Sequence, residues 1–137
     1  MKQFSIGQTA TKRRIFSVAE VDAYRALTGD NGLRFAHPGL EANGVPGPLL
    51  GGMISDLLGT ELPGRGTNWL KQRYNFKKVA YVGQEIKAAV EITRLRPEKA
   101  LINLAISIKG PAGDILCEGE SLVLVKELQL SNTPQRS

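Results

Sequence analysis

The stretch Val45-Pro46-Gly47-Pro48-Leu49-Leu50-Gly51-Gly52-Met53-Ile54-Ser55-Asp56-Leu57-Leu58-Gly59 carries only two polar side chains, Ser55 and Asp56. Pro48 suits a first helical turn, because its missing N–H would have no partner there. Gly59 suits the C-terminal stop. The spacing predicts a helix over 46–58 that is apolar nearly all round, and such a helix has to be enclosed by the rest of the chain. Gly51 and Gly52 cost about 1 kcal/mol each against alanine in a helix. Two reasons would keep them: close packing against a sheet, or room for a ligand.

What encloses that helix is read from the alternation downstream. From Gly66 onward, apolar residues recur every second position, the mark of half-buried strands. Leu70, Tyr74 and Phe76 share one face of a strand at 67–77. Ile86, Ala88, Val90 and Ile92 mark a second at 84–96, and Ile102, Leu104, Ile106 and Ile108 a third at 100–109. Gly110-Pro111-Ala112-Gly113-Asp114 is a turn, and a fourth strand follows over 115–126. Upstream, a short strand is expected at 10–16. Ser17-Val18-Ala19-Glu20 is a capping box that opens a helix to Leu27, with Val18, Val21, Tyr24 and Leu27 as its apolar side. Residues 29–45 are a glycine-rich loop of a length that often carries function. Residues 1–9 read as a loose start and 128–137 as a frayed polar tail.

The outline is one short strand, two helices and a four-strand antiparallel meander. A sheet with one apolar face needs a cover, and the 46–58 helix is the only element apolar enough to supply it. The expected class is α+β. An antiparallel sheet wrapped around one central helix is the hot-dog arrangement; periodicity alone leaves other α+β folds open. The 137 residues are expected to form a single domain over 1–137, long enough to bury a core.

Composition narrows the partners. One cysteine, Cys117, excludes an internal disulfide and points to a reducing compartment. One histidine, His37, beside that cysteine is too little for a zinc site built from His and Cys. No apolar run approaches the roughly 18 residues of a membrane span, and the start lacks a signal-peptide core. A cytoplasmic location without a membrane partner is the expectation. The net charge is +5, and Arg65, Lys71, Arg73, Lys77 and Lys78 precede Glu85 without an intervening acid. That run is either a solvated face or a site for an anionic ligand such as a coenzyme phosphate. Aromatics at 6% are thin for base stacking, so nucleic acid is not expected.

Three segments come in a telling order: Leu58-Gly59-Thr60-Glu61-Leu62-Pro63-Gly64-Arg65-Gly66-Thr67, then Phe76-Lys77, then Tyr81-Val82-Gly83-Gln84-Glu85-Ile86. The series resembles the MaoC-like (R)-specific enoyl-CoA hydratases, over most of the chain from Ser5 to Val125. Gln84 stands where the family's turn carries an acid. The resemblance implies a hot-dog fold, usually dimeric, with a site between the 29–45 loop and the central helix. It implies addition of water across the 2-enoyl group of a CoA or acyl-carrier thioester, for which no metal or redox cofactor is required. From the family signature [ST]-G-D-x-N-P-[LIV]-H it implies Asp30 as the base, at the end of Thr28-Gly29-Asp30. Asn31-Gly32-Leu33-Arg34-Phe35 follows, so Phe35 occupies the place of the family's histidine. His37, two residues on, becomes the candidate second water ligand or the acid that protonates Cα. Gly47 keeps the place of the glycine N–H that polarises the thioester carbonyl, with Pro46 in place of the family's preceding histidine. Ser55 matches a helix serine that faces the site in some members.

Each of these residues has a plainer reading beside its chemical one. Asp30 is a candidate general base or a helix-ending aspartate. His37 is its partner or an exposed loop residue. Gly47 offers an N–H at a helix start, where a developing oxyanion is stabilised, or is a turn glycine before Pro48. Ser55 bonds the aspartate or the acyl carbonyl, or bonds back to a carbonyl one turn earlier. Gly51 and Gly52 leave space for the acyl group or pack on the sheet. Asp56 faces solvent, or activates water as an acidic helix residue does in hot-dog thioesterases. Cys117 is a small core residue. Three functions follow in order: hydration or dehydration of a 2-enoyl/3-hydroxyacyl thioester, a thioesterase using Asp56, and a non-catalytic acyl-thioester-binding module. A free sheet edge predicts a homodimer.

Overall fold

The structure is a computed structural model that describes residues 2–28, 44–125 and 128–130. In chain order the elements are β1 (Lys2–Phe4), β2 (Thr9–Ile15), α1 (Val18–Thr28), β3 (Gly44–Val45), α2 (Gly47–Thr60), β4 (Thr67–Phe76), β5 (Ala80–Tyr81) and β6 (Glu85–Arg96). A short 3₁₀ turn (Pro97–Lys99) leads into β7 (Leu101–Lys109), then β8 (Ile115–Val125) and β9 (Leu128–Leu130). Five strands form an antiparallel sheet in the order β2-β6-β7-β8-β4.

This order corrects the expected meander. β6, β7 and β8 do follow one another, but β4 does not lie beside β6. It crosses the sheet and pairs with β8, Gln72 opposite Ser121 and Phe76 opposite Cys117. β2 takes the other edge. Apolar alternation places a residue on a face and is silent about which strand is next to which.

α2 lies across the apolar face, as expected. It buries Leu50, Met53, Ile54, Leu57 and Leu58, whose spacing of three and four keeps them on one side of a helix. They join Ile86, Ala88, Val90 and Ile92 of β6 and Ile102, Leu104, Ile106 and Ile108 of β7 in one core. Each such Leu or Ile contributes about 1.5–3 kcal/mol by leaving water. Cys117 is buried in the same core, and burial pushes its thiol pKa up. It packs as a small apolar residue.

Several boundaries differ from expectation. The expected stop at Gly59 is two residues short, since α2 runs through Thr60 and is capped by Glu61. The turn that follows is built by the Leu-Pro-Gly segment: Leu62 N–H bonds Leu57 O at 2.9 Å and Gly64 N–H bonds Leu58 O at 2.8 Å. Gly64 and Gly66 sit at φ +92° and +87°, a region that side chains disfavour. The start is not loose. β1 pairs in parallel with β9, Phe4 opposite Leu130, and Phe4 is buried. Leu128–Leu130, assigned to the frayed tail, is therefore a strand, while 131–137 lie outside the described residues. Of the 29–45 loop, Gly44 and Val45 form β3, which pairs with β5.

The capping box at α1 is present in both halves: Glu20 N–H donates to Ser17 Oγ and Ser17 N–H to Glu20 Oε1, each at 3.1 Å. The Ser17 N–H, with Arg14 nearby, holds the Glu20 carboxyl below its usual range. The expected apolar side of α1 needs correction. Val21 is buried, but Val18 and Leu27 are 53% and 88% exposed, and the inward residue one turn after Val21 is Arg25.

Candidate active site

The N-terminal end of α2 opens onto a cavity of about 320 Å³. Its walls come from five places in the chain. β3 gives Val45, the helix start gives Pro46, Gly47 and Leu50, and β4 ends on it with Phe76. Lys78 and Val79 follow, with Ala80 of β5, and α1 contributes Arg25.

The local folding explains this convergence. Pro46, at φ −58° and ψ 142°, precedes the helix without a side-chain cap. Leu49 N–H turns back to Pro46 O at 3.0 Å. Gly47 is the first helical residue, and the N–H groups of a first turn have no acceptor within their own helix. The Phe76 ring lies over Gly47, its Cζ 3.3 Å from where a Cβ would stand. A Cβ at 47 would need that ring to give by a few tenths of an ångström. Beyond β4, the N–H groups of Lys77 and Lys78 both bond Leu116 O, at 2.8 and 3.2 Å, which turns the chain back toward β5.

Small residues continue along this side of α2. Gly47, Gly51, Ser55 and Gly59 stand four apart and share one helix face. Phe76, Tyr74 and Trp69 of β4 lie against Gly47, Gly51 and Gly59. The sequence assigned Leu70 to the strand face of Tyr74 and Phe76. A bulge between Trp69 and Lys71 moves Leu70 off it and puts Trp69 there instead. Tyr74 donates its hydroxyl to Gln72 Oε1 at 2.8 Å, and burial raises its pKa, so the phenol stays protonated.

The predicted site residues are thus only partly brought together. Gly47 lines the cavity. Gly51 packs on Tyr74, and a Cβ at Gly52 would meet no atom within 4 Å. Ser55 is half-buried two turns beyond Gly47, and none of Gly51, Gly52 and Ser55 lines the cavity among the described residues. Asp30 and His37 lie outside the described residues. Asp56 is paired with Lys12 of β2 and is exposed. The sequence reading missed Arg25, which is 6% exposed and donates from Nη2 to Gly44 O at 3.2 Å. Its signal was available: Val21 and position 25 are one turn apart, so a cation interrupts an apolar stripe.

No protein-family model matches the chain. Individual relatives do. The (R)-specific enoyl-CoA hydratase of Aeromonas caviae is 35% identical over 128 residues, covering 89% of this chain and 96% of that protein. The 3-hydroxybutyryl-CoA dehydratase of Methylorubrum extorquens is 29% identical over 140 residues, covering 90% of this chain and 82% of its own length. The solved structure of the A. caviae (R)-hydratase involved in PHA biosynthesis superposes with a TM-score of 0.82 at 35% identity, covering 91% of this chain and 99% of that one. At 35% identity over 89% of its length to an (R)-specific enoyl-CoA hydratase, the chain belongs to the (R)-specific enoyl-CoA hydratase family.

Proposed function

We propose that the protein adds water across the double bond of a trans-2-enoyl thioester and removes it in reverse from the (R)-3-hydroxyacyl thioester. The observation that carries this reading is Gly47. Its N–H heads an enclosed helix inside the cavity, in a chain 35% identical to an (R)-specific enoyl-CoA hydratase.

Water adds to C3, and negative charge develops on the thioester oxygen as the enolate forms. A backbone N–H at a helix start meets that oxygen with the positive end of the helix dipole. Val45, Leu50 and Phe76 wall the position with apolar surface, where a hydrogen bond to a developing charge is stronger than in water. Asp30 takes the proton from the attacking water. His37 holds that water or delivers the proton to C2, the role that the family gives to a histidine at the position of Phe35. Ser55, on the helix face of Gly47, bonds Asp30 or the acyl carbonyl. Gly51 and Gly52 keep side chains off the helix where the acyl group or pantetheine passes.

The proposal includes a homodimer. β4 is a sheet edge, and its Trp69, Leu70 and Phe76 are 47%, 55% and 48% exposed. β2, the other edge, carries Lys12, Arg13 and Arg14, the kind of charged edge that resists pairing. The β4 edge is therefore the one proposed to pair. The carrier is CoA or an acyl carrier protein, and the reaction belongs to fatty-acid metabolism. A cytoplasmic location accords with the reduced thiol of Cys117.

The stereochemical half of the proposal is tested by offering (R)- and (S)-3-hydroxybutyryl-CoA separately. Enoyl absorbance should rise only with the (R) isomer. Equal dehydration of both, or of (S) alone, refutes the reading.

A further inference from the structure

The cavity at the head of α2 stops after the first helical turn. Gly47 and Leu50 line it, whereas Gly51 and Ser55, which continue the small-residue face of Gly47, do not. The space that Gly51 leaves is taken by a ring from β4. Tyr74 Cε2 and Cζ stand 3.8 and 4.0 Å from where a Cβ at 51 would lie. Phe76, next on that strand face, covers Gly47 and lines the cavity. The two rings pack on each other, centroids 6.0 Å apart and planes tilted by 47°, within the range of aromatic pairs. At its tip, Tyr74 donates its hydroxyl to Gln72 Oε1 at 2.8 Å, and Gln72 pairs across the ladder with the buried Ser121 of β8. A ring held by a neighbouring ring and by its own hydroxyl resists displacement.

Helix and strand run in step here. Four residues of α2 advance about 6 Å and two residues of β4 about 6.8 Å, so Phe76 and Tyr74 meet Gly47 and Gly51 in turn. With the thioester carbonyl at the head of α2, about 6 Å of helix lies between it and the Tyr74 ring. The three carbon–carbon bonds of a butenoyl group, about 1.5 Å each, stay within that length. The seven of an octenoyl group exceed it. We propose that Tyr74 is the chain-length stop of the enzyme: the acyl group runs from Gly47 toward Gly51 and ends on the Tyr74 ring, which admits short enoyl groups and refuses long ones. This rests on the hydratase reading and names the residue that selects the substrate within it.

The test compares crotonyl-CoA with trans-2-octenoyl-CoA. The wild type should favour crotonyl-CoA at least about tenfold in kcat/KM. Tyr74→Leu keeps an apolar side chain but lacks the Cε2 and Cζ atoms that meet Gly51. It should lower the ratio by about 10- to 100-fold, through a gain with octenoyl-CoA rather than a loss with crotonyl-CoA. Tyr74→Phe keeps those atoms and should keep the preference. A Tyr74 that only packs the core would, when replaced, lower both rates and raise neither, which overturns the proposal. So does a wild type that treats the two thioesters equally or prefers the longer one, and that result needs no variant to fold. Two measurements on the wild type read the stop without turnover. In bound butanoyl-CoA, the terminal methyl should give a nuclear Overhauser effect to the assigned ring protons of Tyr74, and calorimetry should find octanoyl-CoA bound at least about tenfold more weakly than butanoyl-CoA. Both results together uphold the stop even if neither enoyl thioester is hydrated, the outcome that would sink the hydratase reading alone. No contact between the methyl and Tyr74, or octanoyl-CoA bound as tightly as butanoyl-CoA, overturns the stop even if crotonyl-CoA is hydrated.

Discussion

The two ends of α2 differ in what surrounds the polar group that each presents. At the head, Gly47 lines a cavity together with Val45, Leu50 and Phe76, and its N–H belongs to a first turn without acceptors of its own. Nine residues on, about 14 Å along the axis, Asp56 carries the only charge of the helix. Its Oδ2 is taken by Lys12 at the exposed edge of the sheet. A lone acid on an apolar helix invites a catalytic reading from sequence. The structure gives it an ion-pair partner on β2 and places it outside the cavity. A backbone N–H carries no side-chain signature, yet the fold gathers Arg25, Phe76 and Lys78 around it. Chemistry is expected at the end where the polar group meets enclosed space.

Substitutions that separate the two ends rank by expected size. The largest effect should come from the two proposed acid–base residues. Asp30→Asn and His37→Ala should each lower kcat for crotonyl-CoA hydration by about 10²–10⁴-fold, the usual loss of a positioned acid–base group. A silent His37→Ala beside an inactive Asp30→Asn would leave the histidine as a loop residue only. Gly47→Val comes next. Its side chain crowds the Phe76 ring and narrows the cavity beside the N–H, so kcat should fall about 10²–10³-fold. Circular dichroism and the melting temperature show whether the fold is kept. An active, folded Gly47→Val would remove the head of the helix from the mechanism.

Two smaller effects sharpen the contrast. Ser17→Ala deletes one half of the α1 capping box and should cost about 1 kcal/mol of stability in urea titration, without a change of rate per folded molecule. Glu20, whose pKa is lowered on folding, supports the fold above its ordinary carboxylate pKa of 4.5. That support is lost as pH falls through the depressed value. The stability gap between wild type and Glu20→Gln should therefore close in acid, and a gap that widens there would contradict the assignment. The smallest effect belongs to Asp56→Asn. An exposed ion pair contributes about 0–1 kcal/mol, and hydration should stay within about twofold of wild type. A large loss of activity from Asp56→Asn would reverse the comparison.

How much of this was legible follows from the kind of signal each residue sends. α2 could be read because thirteen positions of almost unbroken apolarity admit only a buried helix, and α1 because Ser17 and Glu20 satisfy each other's backbone locally. The inward faces of β6 and β7 follow from alternation. Pairing does not, since β4 meets β8 about fifty residues away and nothing in the Thr67–Phe76 segment names that partner. β1 and β9 are three residues each, too short for any period to show. One bulge exchanged Leu70 for Trp69 on the helix-facing side, which defeats a strict two-residue count. At the site, Gly47 was legible through its position before Pro48 and through the family pattern. Arg25 left a signal, the break in the stripe one turn after Val21, but a cation on a helix is ordinarily read as solvent-facing.

The most direct test offers crotonyl-CoA to the purified wild type while enoyl absorbance and free thiol are followed together. The account predicts that absorbance falls with the thioester intact and that the product is (R)-3-hydroxybutyryl-CoA. Release of CoA thiol, or binding of crotonyl-CoA with no change in absorbance, would contradict it.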